Sequence, residues 1–384
     1  MKTLDSTSEF PILNHAEASS GQPKYEQLRD YVVAQIQSGE FKAGAVLPSE
    51  NRLAEVLQIA RSTVRQALSA LERDGLVRRV HGKGTFVHEQ ARQRLSCGQD
   101  LFALIVPETD FGFYPSFQKS FEESAAALHN QVIVCNTGNE IEKQGHSILQ
   151  LIDMRVAGVA IVPATSPPTP AFHLRQLQQH HIPVVCCSRR VEGVQAPLLA
   201  LPFEEIGRQA GAMIAGQGHR RVAYVSMKVT EHVRLNERGF RKGLGDRVEV
   251  DTYYGSTDRP GPKAHEEELS DAIDRMMSGE TPPTAFFATF DSLAELTYLL
   301  LSRRGLRIPE DVSVVGFGGS RRNGALVSRL TSVTLDELRL GHDAADLLNR
   351  MRNGELPIDF SESREMSLGI SDGQTLGPPP AGTV

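Results

Sequence analysis

The chain has 384 residues, 40% of them apolar and 23% charged, with a formal net charge of −6. These totals suit two or three ordinary globular domains and exclude a polybasic nucleic-acid coat or a disordered polyelectrolyte. No run reaches the roughly 18 apolar residues of a spanning helix, and the polar start Met1-Lys2-Thr3-Leu4-Asp5-Ser6 has no signal-peptide core, so a cytoplasmic protein is expected.

Residues 1–22 are Ser-, Glu- and Ala-rich without period and are expected to form a loose tail. Residues 24–38 place Leu28, Val32, Val33 and Ile36 on one helical face, and Gly39 ends that helix. Phe41 to Pro48 reads as an extended connection. Ser49 then caps a short helix running to Leu57. After a turn at Gln58-Ile59-Ala60 a third helix begins. Val64, Leu68 and Leu71 share one face of it, while Arg61, Ser62, Arg65 and Ser69 share another. One face can enter a small core. The other carries guanidinium and hydroxyl groups of the kind that reach base edges and phosphates. Asp74-Gly75 stops this helix, and two short β-type runs follow, flanking His81-Gly82-Lys83-Gly84 as a hairpin.

Three helices and a hairpin make a winged helix-turn-helix over residues 23–88, with the third helix entering the major groove. Charge agrees in sign. Residues 24–88 carry 10 Lys and Arg against 7 Asp and Glu, a local +3 in an acidic chain. Pro48-Ser49-Glu50, Arg61-Ser62-Thr63-Val64-Arg65-Gln66-Ala67-Leu68, Leu71-Glu72-Arg73-Asp74-Gly75-Leu76-Val77 and Gly82-Lys83-Gly84-Thr85-Phe86-Val87 together resemble the GntR family of bacterial transcription regulators. That resemblance implies a dimer on a near-palindromic operator. It implies contacts from Arg61 and Arg65 to bases or phosphates, and from Ser62 and Thr63 to phosphates. It also implies contacts from Asn51 and Arg52 on the second helix and from His81, Gly82 and Lys83 at the wing. Ala60 stands where the family commonly has Ser, and Asn51 where it often has Arg.

Residues 89–100 read as a linker. Beyond them near-continuous apolar runs recur at 101–107, 131–135, 158–162, 182–187, 221–225, 284–288 and 312–316, separated by helical stretches such as 117–128, 203–214, 265–277 and 292–304. That alternation predicts an α/β body of parallel sheets flanked by helices, long enough for two lobes with a cleft. Ligands of such folds sit beyond the carboxyl ends of the strands, so the loops after Val106, Cys187, Val225, Ala288 and Gly316 should line the cleft. Residues 373–384 are expected to trail off as a loose tail.

Leu104-Ile105-Val106-Pro107, Ile182-Pro183-Val184-Val185, Gly218-His219-Arg220-Arg221-Val222-Ala223, Arg238-Gly239-Phe240, Leu330-Thr331-Ser332-Val333 and, above all, the run from Gly305 through Ile308-Pro309-Glu310-Asp311-Val312 to Gly316-Phe317 are similar to the LacI/GalR effector domain, a two-lobed type I periplasmic-binding-protein-like fold, over 101–372. A GntR-type head on such a body resembles the arabinose-responsive repressors. The resemblance implies a small-molecule effector, sugar-like, held at Phe111, Phe113, Tyr114, Ser188, Arg189, Arg234, Asn236, Phe290, Asp291 and Gly318. Ser188-Arg189 replaces a frequent Asp-Arg, Asn236 a frequent Arg, and Gly318 an Asp. The loss of carboxylates makes the pocket less polar, and Arg189 and Arg234, with Arg321 and Arg322, tilt it towards an anionic ligand; the alternative is that these arginines are solvated or pair with surface acids. An effector-independent regulator whose pocket binds nothing is the alternative.

The four cysteines, Cys97, Cys135, Cys186 and Cys187, form no C-x-x-C and are expected to be reduced, with no metal site. No Walker A, nucleophile elbow or H-E-x-x-H occurs, so neither an enzyme nor a cofactor is expected.

Overall fold

A computed structural model of the chain describes residues 23–80, 83–89, 91, 100–110, 112–227, 229–255, 262–318 and 330–381. The chain divides into two compact units, residues 1–100 and 101–384. The expectations for the 1–22 tail, most of the linker, His81, Gly82, Phe111, Arg321 and Arg322 fall outside the described residues.

In the first unit, α1 (Lys24–Ser38) ends at Gly39 in the left-handed conformation. Helix α2 (Glu50–Leu57) is capped by Ser49, whose side chain accepts from the Arg52 amide, and the left-handed Gln58 turns the chain into α3 (Arg61–Arg73). Strands β1 (Val77–Val80) and β2 (Gly84–Val87) pair antiparallel, and Val46 adds a bridge to Phe86. The Phe41–Pro48 connection therefore contributes to the wing sheet rather than merely linking helices. Leu28, Val32 and Ile36 meet Leu53, Leu57, Val64, Leu68, Leu71 and Val87 in one buried cluster. Each helix is too short to persist alone, and this shared apolar face is what holds all three.

The second unit has two six-stranded sheets among the described residues. The first has the order β13-β7-β6-β5-β3-β4 and is parallel throughout. Its strands are β3 (Leu101–Val106), β4 (Gln131–Asn136), β5 (Gly158–Ile161), β6 (Val184–Ser188), β7 (Leu198–Ala200) and β13 (Ser363–Glu365). Helices α4 (Tyr114–Ala127), α5 (Ile141–Asp153) and α6 (Ala171–Gln179) connect them. The second sheet has the order β14-β12-β11-β10-β8-β9, parallel except for β14. It is built from β8 (Arg221–Ser226), β9 (Glu249–Tyr254), β10 (Ala285–Ala288), β11 (Ser313–Gly318), β12 (Thr331–Leu335) and β14 (Leu368–Ser371). Helices α7 (Phe203–Gly216), α8 (Glu231–Leu244), α9 (Pro262–Met277) and α10 (Asp291–Arg303) belong with it. The chain crosses from the first sheet to the second after β7. It returns after β12, when α11 (Glu337–Arg352) packs on α4 and β5, and crosses again between β13 and β14.

The expectation of a loose tail from residue 373 is corrected by the structure. Thr375 is 2% exposed. The Val314 amide donates to its carbonyl at 2.8 Å, and its hydroxyl donates to the Val314 carbonyl at 2.6 Å. The Ser313 hydroxyl accepts from the Gly377 amide at 3.0 Å, and buried His219 lies 2.9 Å from the Gly377 carbonyl through Nε2. The segment has no apolar period, because its backbone and one threonine, not a hydrophobic face, fasten it to β11.

Helices α7 and α8 touch backbone to backbone. Gly207 and Gly211 face the carbonyls of Asn236 and Phe240, while Gly239 and Gly243 face those of Glu204 and Arg208. These pairs advance together along both helices, so the two run parallel. A Cβ at residue 239 would fall inside the van der Waals radius of the Glu204 carbonyl oxygen. Gly239→Ala should therefore cost about 3 kcal/mol or more, read as a lower urea midpoint, whereas Gly216→Ala, with open space at its Cβ, should stay within about 0.5 kcal/mol of the parent. Equal midpoints for the two variants would refute the close contact.

Candidate functional site

Two sites stand out, one in each unit. In the first unit α3 buries Val64, Ala67, Leu68 and Leu71 and leaves Arg61, Ser62, Arg65 and Ser69 exposed. No side chain caps it at Ala60, so its first amides are free to meet an anion. The arginines are not loose. Glu50, at the start of α2, accepts from Arg61 Nε at 3.4 Å and from Arg65 Nε and Nη2 at 3.3 and 3.2 Å. Partial burial pulls the Glu50 carboxyl upward, but hydrogen bonds and charge from Arg65 and Arg61, with Arg79 behind them, outweigh this and hold it below its usual range. Arg79 on β1 donates through Nη2 to the Arg65 carbonyl and to Ser69 Oγ, both at 3.1 Å, and its amide donates to Glu72 at 3.0 Å. The wing strand is thereby tied to the middle of α3.

Of the residues expected here, Arg61, Ser62, Thr63 and Arg65 share one end of α3. Asn51 and Arg52 are exposed on α2, with Arg52 paired to Glu55 at 3.1 Å, and Lys83 is exposed at the hairpin tip. Glu50 and Arg79 were not foreseen. Glu50 lay within the Pro48-Ser49-Glu50 motif, but nothing in its spacing from Arg65 shows that the turn at Gln58 folds the two together.

In the second unit the expected effector residues divide. Tyr114, at the start of α4, places its hydroxyl beside the Arg189 guanidinium at the end of β6. Ser188 is 3% exposed, its Oγ has no partner among the described residues, and its φ of 75° is a strained left-handed value for a non-glycine residue. The missed member is His232, on α8, in the loop region after β8 that strand order placed at the cleft. Burial first, then the positive charge of Arg189, push its pKa down to about 3. Its ring lies 4.9 Å from that of Phe203, and Thr230 Oγ1 is 3.1 Å from the imidazole.

Of the other expected residues, Asn236, Asp291 and Phe113 are buried and engaged with neighbours inside the fold. Asn236 is 4% exposed: its Oδ1 accepts from the Tyr224 hydroxyl at 3.0 Å, and its Nδ2 donates to the Phe203 carbonyl at 3.2 Å. Asp291 is also buried. It takes the hydroxyl of Ser332 and lies against Gly316 and Gly318, where a Cβ at 318 would stand 3.3 Å from Asp291 Oδ2. Phe113 is buried in the central cluster, its ring 6.3 Å from that of Phe117. Phe290 packs half-buried beside β10, and Arg234 is exposed on α8, its charge acting on Tyr254.

Residues 24–87 match the gntR family of bacterial regulatory proteins, and residues 212–368 match the periplasmic binding protein-like domain. The arabinose metabolism transcriptional repressor of Geobacillus stearothermophilus is 27% identical over 340 residues, 86% of this chain and 91% of that protein. Catabolite control protein A of Priestia megaterium is 23% identical over 263 residues, 66% of this chain and 75% of that protein. Two solved structures share the body's fold. A periplasmic binding protein/LacI transcriptional regulator from Alkaliphilus metalliredigens, complexed with D-xylulofuranose, has a TM-score of 0.58 at 21% identity over 72% of this chain and 99% of its own. The Cra regulator of Pseudomonas putida, complexed with fructose 1-phosphate, has 0.60 at 15% over 72% and 99%. Among the described residues no helix is long and apolar enough to cross a membrane, and no cluster of metal-ligating side chains occurs.

His232 and His219 are both held neutral, His219 chiefly by burial. Each has a folded pKa below the 6.5 of a free imidazole, so the unfolded chain binds more protons on acidification. Their contribution is fully present above about pH 6.5 and is lost as pH falls towards the folded values. The urea midpoint of the full chain should drop from pH 7.5 to pH 5.0, and His232→Gln should flatten that drop. A pH-independent midpoint over this range would contradict neutral burial.

Proposed function

We propose that this chain, which joins a GntR-family regulatory head to a periplasmic binding protein-like body, is a transcription repressor that binds a near-palindromic operator as a dimer and answers to a small sugar-like effector held by the body. The observation that carries the reading is the exposed end of α3, where Arg61, Arg65, Ser62 and Thr63 stand clear of the core while Glu50 holds both guanidiniums and Arg79 ties the wing to the helix beside them. Ordered guanidiniums on a helix of groove-fitting diameter give directional contacts to guanine edges, and the uncapped amides and hydroxyls give contacts to phosphates. Relatives across nearly the whole length are named repressors of arabinose metabolism, which supports both regulation and a sugar effector.

Ligand closure of the body changes operator affinity only to the extent that the ligand prefers one arrangement of the lobes. On this reading the protein works in the cytoplasm and catalyses no reaction, and the polar groups of its pocket serve binding alone.

The test uses a duplex selected from a random pool by the wild-type protein, with binding followed by fluorescence anisotropy at one fixed salt concentration. Arg61→Ala and Arg65→Ala should each weaken binding by about 1–3 kcal/mol for a lost base contact. Glu50→Gln should narrow the gap between selected and unselected duplex, because it frees the arginines and removes a charge that repels phosphate. Wild-type affinity in both arginine variants would sink the α3 assignment. An undiminished gap in Glu50→Gln would remove Glu50 from recognition.

A further inference from the structure

The hairpin of the first unit carries two adjacent arginines that the strand sends opposite ways. Alternation along β1 puts Val77 and Arg79 on the α3 side and Arg78 on the other. Val77 is buried in the core of the head, and Arg78 is exposed. Arg79 is drawn in against α3. Its Nη2 donates at 3.1 Å both to the Arg65 carbonyl and to Ser69 Oγ, one helical turn on, and its Nε lies 3.6 Å from Glu72 Oε2. Its amide donates to Glu72 Oε1 at 3.0 Å. One residue of the strand thus grips α3 from residue 65 to residue 72. The other strand is held as well. The Leu47 amide donates to the Thr85 carbonyl and the Val87 amide to the Ala45 carbonyl, both at 2.8 Å, in the segment that leads through Pro48 to α2.

The apolar core holds only the root of this hairpin. Val77 and Val87 are buried, whereas Val80 and Thr85 are half-buried and Lys83 and Gly84 are exposed. Apolar contact is non-directional and leaves the angle of a two-stranded ribbon free. Arg79 pairs with Thr85, and the Val80–Gly84 pair alone separates it from the tip, so its polar grip is placed to set that angle. We propose that Arg79 is a positioning residue for operator recognition: by holding the hairpin tip at one distance from α3, it makes the width of the neighbouring minor groove part of what the head selects. This rests on the reading of α3 as the helix that enters the major groove. With α3 there, a hairpin fastened along its flank crosses the adjoining phosphates, and its tip, with Lys83, meets the minor groove beyond them. Minor-groove width depends on sequence, since A·T-rich steps narrow it and deepen its negative potential. A swaying tip would follow any width. A tip held by Arg79 accepts a narrow range.

The experiment uses the full chain and two duplexes that share the selected α3 site and differ only in the flanking pairs, G·C in one and inosine·cytosine in the other. Inosine lacks the 2-amino group of guanine, so the two flanks present one major-groove pattern and different minor grooves. Anisotropy at fixed salt should show the wild type binding the inosine flank tighter by about 5-fold or more. Arg79→Met should bring the two flanks within about 2-fold of each other while still rejecting a changed α3 site. Glu72→Ala removes the acceptor at the far end of the grip and should lower the same ratio to a smaller extent. Arg61→Ala should weaken both duplexes alike and keep the ratio.

An unchanged ratio in both Arg79→Met and Glu72→Ala overturns the proposal and leaves the α3 assignment standing. So does a wild type that binds both flanks equally. The proposal is also overturned if Arg79→Met weakens both duplexes alike, flattens the slope of log affinity against log salt by about 0.9 and is restored by Arg79→Lys, since Arg79 is then a phosphate contact. Wild-type affinity in both Arg61→Ala and Arg65→Ala overturns it together with the α3 reading.

Discussion

The contact between α7 and α8 is the constraint on which the body's site depends. Four glycines, two on each helix, remove the side chains that would otherwise separate the two backbones, and Cβ atoms at residues 207, 211, 239 and 243 have no room. Because the helices run parallel, their N-terminal ends lie side by side. That brings Phe203 under His232 and lets Asn236 reach the Phe203 carbonyl. Tyr224, buried on β8, hydrogen-bonds to Asn236 and the Val233 carbonyl and so fixes the start of α8 to the sheet. Asn236 is therefore a brace: it sets where His232 stands, and touching a ligand itself would cost two hydrogen bonds that a buried amide needs.

The same logic of support applies in the head. A recognition helix needs long, mobile side chains on its outer face, and mobility works against a directional contact. Glu50 resolves this by holding two guanidiniums from the preceding helix, while Arg79 ties the wing to the helix backbone at the Arg65 carbonyl and to Ser69 Oγ. The Glu50 pairs lie at the surface, so they add little to folding stability. Their effect is to lower the conformational entropy that two arginines lose on meeting DNA. If this face meets DNA as proposed, an acid among its bases is otherwise a liability, since it repels phosphate. On that reading Glu50 serves orientation, not affinity.

Much of this was legible in the sequence, and what was missed has physical reasons. Helical period located α1, α2 and α3, and turn chemistry located the hairpin. Central strands such as β3, β5 and β10, buried on both faces, read as unbroken apolar runs. Shorter or more polar strands do not. The edge strands β9, with the sequence EVDTYY, β13 and β14 are half-exposed or exposed and give no such run, nor does the three-residue inner strand β7, nor the buried segment around Thr375, which is held by hydrogen bonds. The site was legible only in part, for a related reason. Spacing along a strand or helix gives a residue's place in the fold but not the direction its side chain takes at a loop. Tyr114 stands beside Arg189, the residue next to Ser188. Phe113 and Asp291, one residue from an element's end, turned inward, and His232 entered from a different sheet.

The inward turn of Asp291 bears on the chemistry of the pocket. Had its carboxylate faced the cleft, it would compete with any anion for Arg189. Instead it takes the Ser332 hydroxyl and fills the space that Gly316 and Gly318 leave open, a buried acid satisfied within the second sheet. Glu108 is likewise satisfied by its own loop. Among the described residues, Glu108 and Asp291 are thus engaged by local hydrogen bonds, while Tyr114 and the neutral imidazole of His232 neighbour the guanidinium at the end of β6. Charge selectivity in such a pocket follows from which groups the fold neutralises internally.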